Sequence, residues 1–183
     1  MLNSLGALVC AVEMGIKTDS ILKALKEFTG AHRRFETKGR VNGVWIVDDY
    51  AHHPTEIGVT LKAAMQTKPQ RLICVFQPHR YTRTQLLFNE FCACFKGCDK
   101  LIVTDIYAAS EDPIEGVNSR KLAEGIKETS GVDVEYVPSM ADIENYLAAN
   151  ARTGDLVMTI GAGDVYKVGE ALVADLQRSN ENV

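Results

Sequence analysis

The stretch LICVFQPHRYTRT, Leu72 to Thr84, decides the fold. Its first five residues are apolar without alternation, as in a strand buried on both faces. A short polar loop follows. Thr82 and Gln85 then fit the S/T-x-x-E/Q capping pattern, which predicts a helix start near Arg83. A doubly buried strand leading through a loop into a helix is the building unit of a parallel sheet. The unit recurs outward. Further apolar runs stand at Leu101–Thr104, Val134–Val137 and Leu156–Ile160, with helical patterns near residues 55–67, 83–96, 118–129, 139–149 and 164–177. The expected class is α/β: a Rossmann-like, mostly parallel sheet with helices on both faces, preceded by a short helical segment.

Upstream of the alternation, Phe35–Arg40 and Val44–Val47 flank Asn42-Gly43, a two-residue hairpin signal. Residues 3–28 read as two helices. Leu5, Leu8, Val9 and Val12 form one apolar face of the first, and Gly15 is its expected stop. Thr18 or Asp19 is expected to cap the second, in which Ile21, Leu22, Leu25 and Phe28 recur at helical spacing. The polar stretch TGAHRR, Thr29 to Arg34, reads as a connector, which divides the chain into residues 1–30 and 31–183. The polar tail Arg178–Val183 reads as frayed.

With 46% hydrophobic and 24% charged residues among 183, the chain can bury a core without disulfides or metal. A net charge of −4 argues against a general nucleic-acid binder, and no apolar run approaches membrane-spanning length. Cys10, Cys74, Cys92, Cys94 and Cys98 are odd in number. The last three fall on an expected helix, where Cys92 and Cys94 face different ways, so they read as buried or incidental thiols of a reducing compartment, the cytoplasm. Met65 and Met140 read as helix filler.

Strand-to-helix loops of such a sheet gather at its carboxyl edge, where ligands bind. Three of the four histidines, His52, His53 and His79, fall in two of these loops beside Tyr50, Arg80, Tyr81 and Arg83. The first loop is DDYAHHPTE, Asp48 to Glu56. Pro54 suits the first helical position and Glu56 the positive helix start. His53 is open between a helix cap and a ligand; His52 and Asp49 read as functional. In the second loop, Arg80 and Arg83 beside unpaired helix N–H groups would hold a carboxylate or phosphate, the guanidinium fork matching a planar carboxylate. His79 joins them. Asp105–Glu111 is expected to line the cleft. Gly161-Ala162-Gly163 is open between a phosphate turn and close helix–strand packing, with packing favoured.

DDYAHHPTE followed by FQPHRYTRT resembles the C-terminal part of the Mur ligases, in the branch that adds L-alanine to UDP-N-acetylmuramate for peptidoglycan synthesis. The likeness continues through RRF (Arg33 to Phe35), DIYAASEDPI (Asp105 to Ile114) and GAGD (Gly161 to Asp164), and so spans the chain. It implies an ATP-dependent ligase of three domains, with residues 1–30 ending the central ATPase domain and 31–183 forming the C-terminal domain. It implies that Asn3, Arg34 and Asp49 help complete the ATP site, and that Tyr50, His52, Arg80 and Arg83 receive L-alanine, with His53 and His79 in support. An acyl phosphate on the muramate carboxylate would be attacked by the alanine amine. ATP and Mg2+ are the implied cofactors, the magnesium ligands lying in the central domain. UDP-N-acetylmuramate, L-alanine, ATP and the enzyme's other two domains are the implied partners. No G-x-x-x-x-G-K-[ST] phosphate loop occurs here, and the start at Met1-Leu2 falls inside an expected helix. The chain therefore reads as a fragment, inactive by itself.

Two other readings stand beside this one. Asp48, Asp49, His52, His53 and His79 offer donors for a metal-dependent hydrolase. Alternatively, the chain is a non-catalytic nucleotide-binding module.

Overall fold

The computed structural model describes residues 2–28 and 30–181; Thr29 of the connector and the last two residues of the polar tail lie outside the described residues. Asn42 and Gly43 have φ of 53° and 75°, the two left-handed residues that a tight hairpin turn of type I′ requires. They join β1 (Glu36–Val41) to β2 (Val44–Asp49) antiparallel. The second strand runs two residues past Val47, where the apolar run stops. Asp48 and Asp49 extend it because both carboxylates find partners in the interior, as described below.

Four further strands follow: β3 (Arg71–Phe76), β4 (Lys100–Val103), β5 (Asp133–Tyr136) and β6 (Asp155–Ile160). The six-stranded sheet has the order β1-β2-β6-β3-β4-β5, and every pairing except β1–β2 is parallel. The helices are α1 (Leu2–Glu13), α2 (Thr18–Glu27), α3 (Pro54–Gln66), α4 (Tyr81–Leu86), α5 (Phe88–Cys94), α6 (Ser119–Ser130), α7 (Met140–Asn150) and α8 (Tyr166–Glu181). Two separate apolar clusters lie on the two faces of the sheet. One packs Ile57, Leu61, Phe91, Phe95, Leu122 and Ile126 of α3, α5, α6 and the α5–β4 turn on Phe76 and Leu101. The other packs Ile143, Leu147, Val168 and Leu172 of α7 and α8 on Ile46, Ile73, Val75 and Val157. Each such side chain, fully buried, contributes about 1.5–3 kcal/mol. This is the α/β architecture with helices on both faces that the alternation predicts.

Local differences have local causes. The pattern near 83–96 is two helices rather than one, broken at Leu87, where φ is −111° and ψ 24°. Helix α2 begins at Thr18, but its cap residue is Lys17 and no side chain caps it, so neither Thr18 nor Asp19 has the expected role. The tail expected to fray continues α8 as far as Glu181. Gly15 stops α1 as expected, at φ 75°. Helix α5 ends at Cys94, so Cys98 lies in the turn before β4 rather than on a helix.

The chain divides into two compact units, Met1–His32 and Arg33–Val183. In the first, Ile21 is buried, while Leu5, Val9, Val12, Leu22 and Phe28 are all exposed. The second contains the whole sheet. No helix among the described residues is long and apolar enough to cross a membrane.

Candidate amino-acid and nucleotide site

Because β6 lies between β2 and β3 and all three run parallel, their carboxyl ends open side by side. The loops after β2, β3 and β6 meet there, where the strand order departs from the chain order. A residue that the sequence reading left without a role holds this edge together. Arg33 donates from Nε to Asp48 Oδ2 at 2.8 Å, from Nη1 to the Gly163 carbonyl at 3.0 Å and from Nη2 to the Gly161 carbonyl at 2.7 Å. Its guanidinium also lies 5.1 Å from the Tyr50 ring centroid and 4.6 Å from that of Tyr166. Asp48 is wholly buried, and its other oxygen accepts from Thr159 Oγ1 at 2.6 Å. The sequence signal was only the match of RRF to a family motif; nothing local marks Arg33 as a hub.

The glycines beside it settle the choice left open for Gly161-Ala162-Gly163. A Cβ on Gly161 would come 2.8 Å from the Gln77 carbonyl oxygen, and one on Gly163 would come 2.2 Å from Gln77 Oε1. Their carbonyls face Arg33. Close packing explains both glycines.

In the first loop, Asp49 is 5% exposed. Its Oδ1 accepts from the Ala51 N–H and its Oδ2 from the Phe35 N–H, both at 2.8 Å. The carboxylate thus ties Phe35, the residue just before β1, to the loop. His53 resolves as the helix cap, its Nδ1 accepting from the Thr55 N–H at 3.3 Å, with Pro54 at the first helical position. His52 is held differently. Its Nδ1 lies 3.0 Å from the Tyr50 carbonyl, which fixes the proton on that nitrogen, and its backbone N–H donates to Glu56 Oε2 at 3.2 Å. Burial pushes the Glu56 carboxyl up, but the His52 N–H and the charges of His52 and Arg34 outweigh it, and the net shift is downward. Arg34 is half-exposed, 3.9 Å from Glu56 and 5.9 Å from the Tyr50 ring centroid.

In the second loop the expected cap fails. Helix α4 starts at Tyr81 with Arg80 as its cap residue and no side-chain capping bond. Thr82 turns instead to a carboxylate 29 positions away. Glu111 accepts from the Thr82 N–H at 3.0 Å and from Thr82 Oγ1 at 2.6 Å. A helix-start N–H expected to be open for a ligand is therefore taken by the protein itself. Arg80 lies 3.8 Å from the same Glu111, with its backbone at φ 75° and ψ 139°, a region that strains any residue but glycine. Its carbonyl accepts from Thr84 N and Oγ1, which holds the turn. Arg83 Nη1 is 3.2 Å from His79 Nδ1 and 3.1 Å from the His79 carbonyl. A guanidinium can only donate, so His79 Nδ1 is the acceptor and its proton sits on Nε2.

Tyr50, His52, His79 and Arg83 form one chain of contacts. Tyr50 meets His52 edge-on at 5.4 Å between centroids, and His52 lies 5.9 Å from His79. Arg80 borders this group, His53 stands apart on the helix cap, and Asn3 lies exposed on α1 in the other compact unit. Among the described residues no group of three or more His, Cys, Asp or Glu could hold a metal ion, so the donors of the hydrolase reading do not converge. The cysteines are free thiols. Burial pushes Cys94 up to about 12, and a hydrogen bond to Cys98, with burial, raises Cys74. Cys74, Cys92 and Cys98 belong to the core and Cys94 packs against it, while Cys10 is exposed on α1.

Burial lowers the His79 pKa from its ordinary 6.5, and the positive charges of Arg83, His52 and Arg80 lower it further, Glu111 opposing them. A histidine whose folded-state pKa is depressed stabilises the fold above the unfolded value. That contribution is lost as pH falls through the lowered folded value. Urea unfolding at about pH 7.5 and about pH 5 should therefore show a larger acid loss in the wild type than in His79→Gln. Equal losses would mean that His79 titrates as it does in the unfolded chain.

Residues 33–163 match the family Mur ligase, glutamate ligase domain. The chain is 47% identical over 177 residues to the UDP-N-acetylmuramate–L-alanine ligase of Desulforamulus reducens, covering 97% of this chain and 38% of that protein. It is 50% identical over 175 residues to the enzyme of the same name from Acetivibrio thermocellus, covering 96% and 37%. The crystal structure of the UDP-N-acetylmuramate-alanine ligase MurC of Thermotoga maritima superposes with a TM-score of 0.79 at 25% identity, over 97% of this chain and 37% of that one. The chain thus spans under two-fifths of the length of these relatives. From the matched sheet and from sequence identity near one half over nearly its whole length, the chain belongs to the Mur ligase family, as a C-terminal part of such an enzyme.

Proposed function

We propose that the protein supplies the amino-acid-receiving and ATP-completing part of a ligase that joins L-alanine to UDP-N-acetylmuramate. The observation that carries this reading is the group Tyr50, His52, His79 and Arg83 at the carboxyl edge, with Arg80 at its border. Arg83 has one Nη bonded to His79, and its fork remains able to take a carboxylate. His52, with its proton fixed on Nδ1, has Nε2 left to accept from an incoming ammonium or amine. A zwitterionic amino acid fits that pairing of donor and acceptor. The chemistry asked of these residues is positioning: holding the carboxylate so that the amine reaches an acyl phosphate.

On this reading Arg34 meets the nucleotide. It is the half-exposed cation beside the loop, loosely paired to Glu56. Asp49 acts by holding Phe35 and Ala51 in place rather than by presenting an unengaged carboxylate. Magnesium would accompany ATP, its ligands lying mainly in the central domain, as the family resemblance implies. Residues 1–30 are read as the end of the ATPase domain, in agreement with the exposed apolar stripe of Leu5, Val9 and Val12. Asn3 would serve ATP from there.

The test is a steady-state assay of the full-length protein with ATP and UDP-N-acetylmuramate. Phosphate release that depends on L-alanine supports the proposal, and release indifferent to it overturns the proposal. In the same assay Arg34→Ala should raise the KM for ATP by at least about tenfold, a charge-assisted contact contributing roughly 1.5–3 kcal/mol, with the KM for L-alanine little changed. A normal ATP response would remove Arg34 from the site.

A further inference from the structure

Apart from Glu111, the loop from Asp105 to Glu111 has no role in the proposed site, yet it is tied closely to the His79–Arg80 turn. The Tyr107 N–H donates to the Pro78 carbonyl at 2.8 Å, and the Arg80 N–H donates to the Tyr107 carbonyl at 2.9 Å. The two segments form a parallel bridge between His79 and Tyr107. The Tyr107 ring then stacks on the His79 imidazole, with centroids 5.5 Å apart and planes within 13°. Tyr107 is 40% exposed, so filling the core does not account for it. Gly163 makes room for the ring: a Cβ there would stand 2.7 Å from Tyr107 Cγ. The Gly163 carbonyl is itself held by Arg33, so the ring rests on a fixed wall.

The plane of the imidazole matters because Arg83 reads it. His79 Nδ1 accepts from Arg83 Nη1 only while the ring faces that way. If the imidazole turned about its bond to the backbone-side carbon, Arg83 would keep the His79 carbonyl alone as a partner from that residue, and the fork would lose its orientation. An offset stack within 13° of parallel opposes that rotation. We propose that Tyr107 is a positioning residue for the amino-acid carboxylate: its ring fixes the plane of His79, and His79 in that plane aims the Arg83 guanidinium. The second half of this statement rests on the proposed alanine-binding role of Arg83; the first half does not.

Two measurements test the two halves. The imidazole resonances of His79, followed by NMR in this chain without ligand, carry an upfield ring-current shift from Tyr107. Tyr107→Leu removes that shift and Tyr107→Phe keeps it. In the full-length ligase, Tyr107→Leu raises the KM for L-alanine roughly three- to tenfold, the scale of one lost aromatic stack. The KM for ATP stays within about twofold, and Tyr107→Phe restores the wild-type KM for L-alanine. His79 resonances that stay in place in Tyr107→Leu overturn the orienting role. So does a rise in both KM values together, or Tyr107→Phe behaving like Tyr107→Leu. Should Arg83→Ala leave the KM for L-alanine unchanged while Tyr107→Leu still moves His79, the alanine-binding role of Arg83 fails, and with it the second half of the proposal, while the orienting role of Tyr107 stands.

Discussion

Arg83→Ala in the full-length ligase should raise the KM for L-alanine by about thirtyfold or more while the KM for ATP stays nearly constant. Removing one partner of a buried, charge-assisted contact costs roughly 2–5 kcal/mol, and each 1.4 kcal/mol is about tenfold. Arg83 is half-buried and anchored to His79 through both the ring and the carbonyl, so its fork is presented at little further entropic cost. Arg80→Ala should have a smaller effect in the same direction. Its side chain is 48% exposed and loosely paired with Glu111 at 3.8 Å, where solvent screens much of any charge effect. Lysine should not rescue Arg83, because a point charge cannot reproduce a forked pair of bonds. Initial rates at varied L-alanine give the answer. If both alanine variants keep the wild-type KM for L-alanine, the amino-acid site lies elsewhere.

The largest effect on stability is expected at Arg33. Arg33→Met keeps much of the aliphatic stem but leaves Asp48, wholly buried, without its cation. Breaking a buried pair by removing one partner costs about 3–5 kcal/mol, and the carbonyls of Gly161 and Gly163 lose their donor as well. Urea unfolding of this chain should show a loss of that size, and adding Asp48→Asn to Arg33→Met should recover part of it by removing the orphaned charge. A loss under about 1 kcal/mol would mean that water replaces the guanidinium without penalty.

What the sequence made legible follows from how local each signal is. The Asn42-Gly43 turn, Pro54 at the head of α3 and the apolar strands β3 and β6 are each dictated by residues next to one another, and each forms as its residues require. The strand order is a different matter. That β6 lies between β2 and β3 is a long-range outcome of packing that no run of residues announces. The site divides along the same line. The loops that hold Tyr50, His52, His79 and Arg83 could be picked out because ionisable and aromatic residues crowd a strand end. Thr82 misled, since its capping pattern is local and its real partner, Glu111, lies 29 residues on. Arg33 was hidden for the opposite reason: in sequence it is one cation in a polar connector, and its partners come from two segments distant in the chain, the end of β2 and the loop after β6.

Arg80 carries a consequence for how this turn has been shaped. Its backbone angles, φ 75° and ψ 139°, suit glycine and burden any other residue by roughly 1–3 kcal/mol. A glycine at this one place would make the protein harder to unfold. On the proposed reading, the strain held in this turn is what it costs to stand a guanidinium rather than a bare backbone at the border of the amino-acid site.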